Sequence, residues 1–319
     1  MRALRIAVVG AGHMGKLHAA KIAELAESGD PVRLSGVADV DAERARALAE
    51  RRGVRGVTDY RDLLGEADAV IVAVPTLQHF EVVRGALAAG RDVLVEKPIA
   101  ASIAEGEALL ELATAQGCLL QVGHLEWFNN AMQVIRERIH RPRFIEAHRM
   151  GPFPDRATDI DVVRDLMIHD LDILQQLLGE EPERIEAVGV PVLSPSADIA
   201  NARITYPGGC VANLTASRVS STPMRKVRFF QRDGYFSIDF LEQSALVIRR
   251  ELSEATGAPE IKLEKLDVDR GDALLGQLRA FLGAVRDRGR PAIDAAGGLG
   301  ALRTALRVLD AMPHPDEFE

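Results

Sequence analysis

The chain of 319 residues is short of several things: it has two cysteines, one tryptophan and three tyrosines, and aromatic residues make up 4% of it. Cys118 and Cys210 stand apart, with no neighbouring cysteine or clustered histidine, which excludes a disulfide scaffold and a zinc site and fits a reduced compartment. Both read as small core hydrophobes. No apolar run approaches the ~20 residues that span a bilayer; the longest, such as 69–77, fall far short. Near the amino terminus a short apolar run broken by Arg5 leads straight into a glycine turn, which lacks the pattern of a signal peptide, so a cytoplasmic location is the expectation. There is no excess of positive charge either. With 39 Lys plus Arg against 47 Asp plus Glu, the net charge is −8, and the molecule as a whole repels phosphate backbones and anionic lipid. Nucleic acid and membranes are set aside as partners, and no metal site is expected.

Apolar residues, by contrast, make up 47% of the chain, enough for a sizeable core, and the length favours two domains. Apolar strands at 4–9, 33–38, 69–74, 92–95 and 119–122 alternate with amphipathic helices from the glycine turn to about 28 and at 41–52, 78–89 and 103–116. That rhythm predicts a doubly wound parallel sheet with helices on both faces, occupying residues 1–123. Beyond it, strands of period two follow one another at 143–150, 184–193, 201–206, 210–219, 225–231, 235–240, 246–250 and 261–268. Hairpin turns are expected at Pro207-Gly208-Gly209 and Asp233-Gly234. Two helices, 272–288 and 295–311, close the chain, and a frayed tail is expected from Pro313. The fold class is therefore α/β, with a second α+β domain over 124–319 built on a large, mostly antiparallel open sheet.

Gly10-Ala11-Gly12-His13-Met14-Gly15 follows the first strand and opens the first helix, so its backbone can approach a pyrophosphate while the helix start faces the anion. Asp39 ends the second strand, where a carboxylate accepts hydrogen bonds from the adenosine ribose and repels a 2′-phosphate; this favours NAD over NADP, with Arg44 and Arg46 close by. A helix cap is the other reading of Asp39, one that Asp41 supplies equally well. Pro75, Thr76 and His79 fall at the carboxyl edge of the sheet and are candidates for the nicotinamide side. Glu96-Lys97-Pro98 puts a lysine at the end of a buried strand on that same edge, where an ammonium can stabilise an alkoxide or move a proton.

Asp165 and His169 are spaced i, i+4, with Asp172 and Gln176 a turn apart beyond, so a regular helix carries them on one face. Leu166, Met167, Leu171, Leu174, Leu177 and Leu178 occupy the other face and supply burial. A carboxylate that orients and charge-stabilises an imidazole suits acid–base chemistry. Asp170 falls inside the apolar arc, as a hydrogen-bonding partner in the core.

Taken in order, the glycine turn, Pro75 with His79, Glu96-Lys97-Pro98 and the run Asp165 to Asp172 resemble the glucose–fructose oxidoreductase and inositol dehydrogenase family, Gfo/Idh/MocA, over nearly the whole chain. The family commonly has glycine where Met167 stands. The resemblance implies a Rossmann domain that binds NAD through Gly10, Gly12, His13, Met14, Gly15, Asp39, Pro75, Thr76, His79, Glu96 and Lys97. It also implies a catalytic set of Lys97, Asp165 and His169, in which either Lys97 or His169 takes the hydroxyl proton as hydride leaves the same carbon. More narrowly, 122–129 and 161–170 look like members acting on nucleotide-linked amino sugars such as UDP-N-acetylglucosamine. That makes Lys97, His124, Trp127, Arg149, Asp165 and His169 substrate-site candidates, and Arg149, Arg218, Arg225 and Arg228 candidate partners of a diphosphate. The alternatives are a dehydrogenase of a free polyol such as inositol and, in another class, an NAD-binding sensor without turnover. Ala212, Leu214 and Ala216 read as a sheet face that needs cover, and with the resemblance they suggest a homodimer or homotetramer.

Overall fold

The computed structural model describes residues 2–153, 160–252 and 258–313; the expected frayed tail lies largely outside them. The chain forms two compact units, one of Met1–His124 with Leu274–Leu299 and one of Leu125–Ala273 with Gly300–Glu319.

The first unit runs β1 (Leu4–Val9), α1 (His13–Glu27), β2 (Val32–Ala38), α2 (Ala42–Arg52), β3 (Arg55–Val57), α3 (Arg61–Leu64), β4 (Ala69–Val72), α4 (His79–Ala88), β5 (Asp92–Glu96), α5 (Ile103–Gln116) and β6 (Leu120–Gly123). All its strands are parallel, in the order β3-β2-β1-β4-β5-β6. β4 is buried along its whole length, as a strand covered on both faces must be, and its sequence is an unbroken Ala-Val-Ile-Val run. Helix starts follow local chemistry: the Asp41 side chain accepts from the Glu43 and Arg44 amides at the start of α2, and Ser102 and Glu105 form a reciprocal capping box at α5.

The second unit contains α6 (Asn130–Ile135), β7 (Phe144–Met150), a π turn over Val163–Met167, α7 (Ile168–Leu178), β8 (Arg184–Val190), β9 (Ile199–Thr205), β10 (Val211–Ser217), β11 (Met224–Gln231), β12 (Gly234–Asp239), β13 (Ser244–Leu252) and β14 (Pro259–Leu266). Its sheet has the order β14-β13-β12-β11-β7-β10-β9-β8, antiparallel except for the β7–β10 pair. Two helices follow, α8 (Ala273–Asp287) and α9 (Ala295–Asp310).

Two expectations are corrected here. The second domain does not hold everything after residue 123: Leu278, Phe281, Leu282 and Val285 of α8 pack in one cluster with Ile6, Ile71 and Leu94 of the parallel sheet, so this stretch belongs to the first unit. The apolar stripe of α8 needs a hydrophobic face, and the parallel sheet supplies it. Ala212, Leu214 and Ala216 need no second copy, because all three are fully buried in the core that α7 and α9 complete with residues such as Leu171, Leu174, Ala301 and Ala305. The opposite face of the sheet is mixed instead, with a Glu146–Arg228 ion pair at 2.6 Å beside a cluster of Phe144, Phe230 and Tyr235. Among the described residues no helix is long and apolar enough to cross a membrane, and both cysteines are free.

Candidate active site

In the first unit a cleft of about 960 Å3 opens at the carboxyl ends of β1, β2, β4 and β5. Gly10, Gly12, His13, Met14, Asp39, Pro75, Thr76, His79, Glu96 and Lys97 all line it, so the sheet gathers every cofactor-site candidate except Gly15 onto one wall. Gly15 lies behind. A Cβ there would stand 1.7 Å from the Gly10 carbonyl oxygen, so only glycine lets α1 pack this closely on the turn. Gly10 has φ +99°, and a Cβ on it would run into the Ala73 carbonyl at 2.3 Å, whereas the Cβ position of Gly12 meets nothing within 4 Å and leaves room for a ligand. The first turn of α1 holds no acidic residue and its N-cap, Gly12, has no side chain, so its amide ends remain suited to an anion.

Asp39 does more than face this space. Its Oδ2 accepts from the Ala11 amide at 2.7 Å and its Oδ1 from the Asp41 amide at 2.9 Å, which pins the glycine turn to the end of β2. Asp41, not Asp39, caps α2, and Arg44 turns its Nε to Asp41 at 2.9 Å. A glycine turn with open space above it, a free helix start and a carboxylate beside it together fit a dinucleotide with an unphosphorylated ribose.

On the far side of the cleft, Lys97 follows β5 and joins Pro98 through a cis peptide bond. Glu96 Oε1 lies 2.7 Å from Nε2 of His18, a fully buried residue that sequence reasoning passed over. The signal was there: His18 shares the buried face of α1 with Ala19, Ile22 and Leu25. His79, placed on the nicotinamide side from sequence, is 1% exposed, and its Nδ1 and Nε2 lie 2.7 and 2.9 Å from the carbonyls of Pro98 and Val74. Both nitrogens are engaged with backbone, so the ring offers a cofactor no polar atom. His124 is buried as well; burial, helped by the Lys97 charge, brings its pKa down to about 3, so the imidazole is neutral at neutral pH.

The second unit carries Asp165 on the π turn and His169 in the first turn of α7. The stacking expected of an uninterrupted α-helix therefore applies only from Ile168 onward, and π turns of this kind recur at functional sites. Met167, where the family commonly has glycine, is fully buried in the core of this unit. Asp172 is buried, not on a solvated face; burial pushes its carboxyl up to about 8, against a hydrogen bond from Gln176 at 3.0 Å.

The arginines divide sharply. Arg149 is a correction: it is 2% exposed, donates from Nε and Nη2 to both oxygens of Asp170 at 3.0 and 2.9 Å, and from Nη1 to Glu126 at 2.6 Å. This accounts for Asp170, whose pKa burial raises while Arg149 lowers it. Arg218, equally buried, donates to Asp198 at 2.8 Å and to the Ile160 carbonyl, and Arg228 pairs with Glu146 on the outer face of the sheet. Arg225 is half exposed, with Glu126 at 3.9 Å. Trp127 lies under the Arg136 guanidinium, 5.2 Å from its ring centre.

Comparison with known proteins agrees with this geometry. Residues 4–124 match the oxidoreductase family with an NAD-binding Rossmann fold, and residues 131–237 match the Gfo/Idh/MocA carboxyl-terminal domain. The chain is similar to a UDP-N-acetylglucosamine 3-dehydrogenase from Acidithiobacillus ferrooxidans, 38% identical over 306 residues covering 96% of each chain. A solved structure of that enzyme superposes with a TM-score of 0.91 over 98% of both chains. A myo-inositol 2-dehydrogenase from Thermotoga maritima is 24% identical over 94% of this chain and 93% of its own. An apo scyllo-inositol dehydrogenase from Lactobacillus casei shares the fold, at 20% identity and a TM-score of 0.81 over 98% of this chain and 96% of its own.

Proposed function

The chain belongs to the Gfo/Idh/MocA family of NAD-binding oxidoreductases, and from that membership we propose that it oxidises the 3-hydroxyl of a nucleotide-linked amino sugar of the UDP-N-acetylglucosamine kind. The observation that carries the substrate is the 38% identity to the Acidithiobacillus enzyme over 96% of both chains, a reach that no inositol dehydrogenase among the relatives above combines with comparable identity.

In this reading NAD, held by the Gly10–Gly15 turn and Asp39, would supply the hydride acceptor. His169 takes the hydroxyl proton, Asp165 orients and charge-stabilises its imidazole, and Lys97 stabilises the alkoxide; the roles of Lys97 and His169 are interchangeable on the chemistry alone. Glu96, fastened by His18, shapes the cofactor cleft next to Lys97. His124 and Trp127 are proposed to line the sugar's path. Arg149 and Arg218 are buried against carboxylates and Arg228 is paired at 2.6 Å, so the half-exposed Arg225, whose carboxylate neighbour Glu126 comes no closer than 3.9 Å, is the proposed diphosphate partner among the four arginines singled out by sequence. We further propose a cytoplasmic protein that self-associates through the mixed outer face of the second sheet.

The test is NADH formation, followed by absorbance, with UDP-N-acetylglucosamine, UDP-glucose, myo-inositol and free N-acetylglucosamine as substrates. Turnover of the first above the rest is expected. Turnover of myo-inositol with none of the UDP-sugars moves the chain to the polyol branch of the family.

A further inference from the structure

His79 stands first in α4, its ring buried between the segment leaving β4 and the turn after β5. One carbonyl it meets belongs to Pro98, directly after Lys97; the other belongs to Val74, directly before Pro75. A carbonyl oxygen has no proton to give, and a neutral imidazole has one N–H and one bare lone pair. A neutral ring thus satisfies one contact and sets two lone pairs against each other at the second. Only an imidazolium donates both ways.

We propose that His79 is a positioning residue: a strut, complete when both ring nitrogens carry protons, that ties the Lys97–Pro98 turn to the exit of β4 and so sets the shape of the cleft on the side away from Asp39. The strand order places this side across β1 from β2, so the tie acts on the part of the cleft that Pro75, Thr76 and Lys97 line, and not on the part that Asp39 holds. Burial is the largest influence and brings the imidazole below its ordinary pKa, while the two carbonyls and Glu96 pull the other way, so the second proton joins the ring only as pH falls below the usual histidine range. Glu96 is itself held by His18, and Lys97, Glu81 and Asp59 line the same cleft. As pH rises and one proton leaves the ring, one of the two carbonyls loses its donor and the turn loosens.

The inference rests on the NAD-binding assignment and not on the identity of the sugar. Its first test is nitrogen NMR of the full-length protein labelled at histidine: at pH 5 the His79 resonances should be those of two protonated nitrogens, and one bare nitrogen there overturns the proposal. The second is calorimetric titration of the wild type, H79F and H79Q with NAD+ and with ADP-ribose, which lacks the nicotinamide. H79F should bind NAD+ about tenfold more weakly, with ADP-ribose binding unchanged, and H79Q, which keeps an N–H donor, should fall between. Equal losses for both ligands, or no loss for either, overturn the positioning role. Failure of the wild type to bind NAD+ would instead defeat the cofactor assignment.

Discussion

Replacing Arg149 with methionine separates two jobs for that residue. As a phosphate-binding cation its loss raises KM and leaves the fold alone. As the structure has it, the side chain is 3% exposed and answers two carboxylates, Asp170 at 3% and Glu126 at 11% exposure. Removing one partner of a buried ion pair costs ~3–5 kcal/mol, because a charge is left without compensation. Two features put Arg149→Met at the lower end: Glu126 keeps Arg225 at 3.9 Å, and Asp170, its pKa already raised by burial, can take up a proton. At about 3 kcal/mol, and roughly 2–4 °C per kcal/mol for a unit of this size, melting should fall by roughly 6–12 °C. The deficit also has a pH sign. A carboxyl whose folded pKa lies above its unfolded one favours folding at low pH and loses that advantage as pH rises through the folded value, so the variant should melt closest to the wild type near pH 4 and furthest from it above neutrality. Adding Asp170→Leu should recover much of the loss, since a buried pair replaced by apolar groups is often neutral. The assay is thermal unfolding of the three proteins across pH, with KM for UDP-N-acetylglucosamine alongside. A variant that melts within 2 °C of the wild type but has a raised KM refutes the structural assignment and returns Arg149 to the substrate.

Further outcomes are expected elsewhere in the molecule. His169→Ala should lower turnover by roughly 10²- to 10⁴-fold while NAD+ still binds in calorimetry; unchanged turnover rules out a general base there. Asp39→Ala removes two charge-assisted hydrogen bonds, one from the glycine turn and one from the Asp41 amide, together with the repulsion of a 2′-phosphate, so NAD+ should weaken by about 10- to 100-fold and NADP+ by less, equal losses arguing against a ribose contact. Hydrogen bonding to Arg5 holds the Asp68 carboxyl down to about 2, which contributes about 1–2 kcal/mol after allowance for solvent screening. That stability is present above pH ~4 and should disappear as pH falls through about 2; a pH-independent gap between wild type and Asp68→Asn in urea unfolding counts against it.

Strands and helices were legible where local signals were strong. Ser102 and Glu105 announce the start of α5, an apolar run marks β4, and period-two alternation marks β7 through β14. β3 and α3 escaped because three or four residues carry too little periodicity to stand out. The π turn under Asp165 escaped because residue spacing alone assumes regular helix geometry. The stripe of α8 was readable as needing a hydrophobic face, but nothing local says which of two sheets provides it. Asp170 stood out as a charge inside an apolar arc, a sign that a partner exists without a sign of who it is, whereas His18 was passed over and Arg149 read as a substrate cation.

The amino-acid sequence by itself determined the glycine turn, the order of elements, the family and the carboxyl edge on which Asp39 and Lys97 stand, because periodicity, capping and turn chemistry act over a few neighbouring residues. Only the tertiary structure decided which polar groups are already committed: Asp39 to Ala11 across 28 positions, Arg149 to Asp170 across 21, His79 to the carbonyls of Pro98 in the lysine turn and of Val74 beyond β4. Those commitments depend on strand register and on which helix covers which face, and a buried charge takes whichever partner that packing brings within about 3 Å.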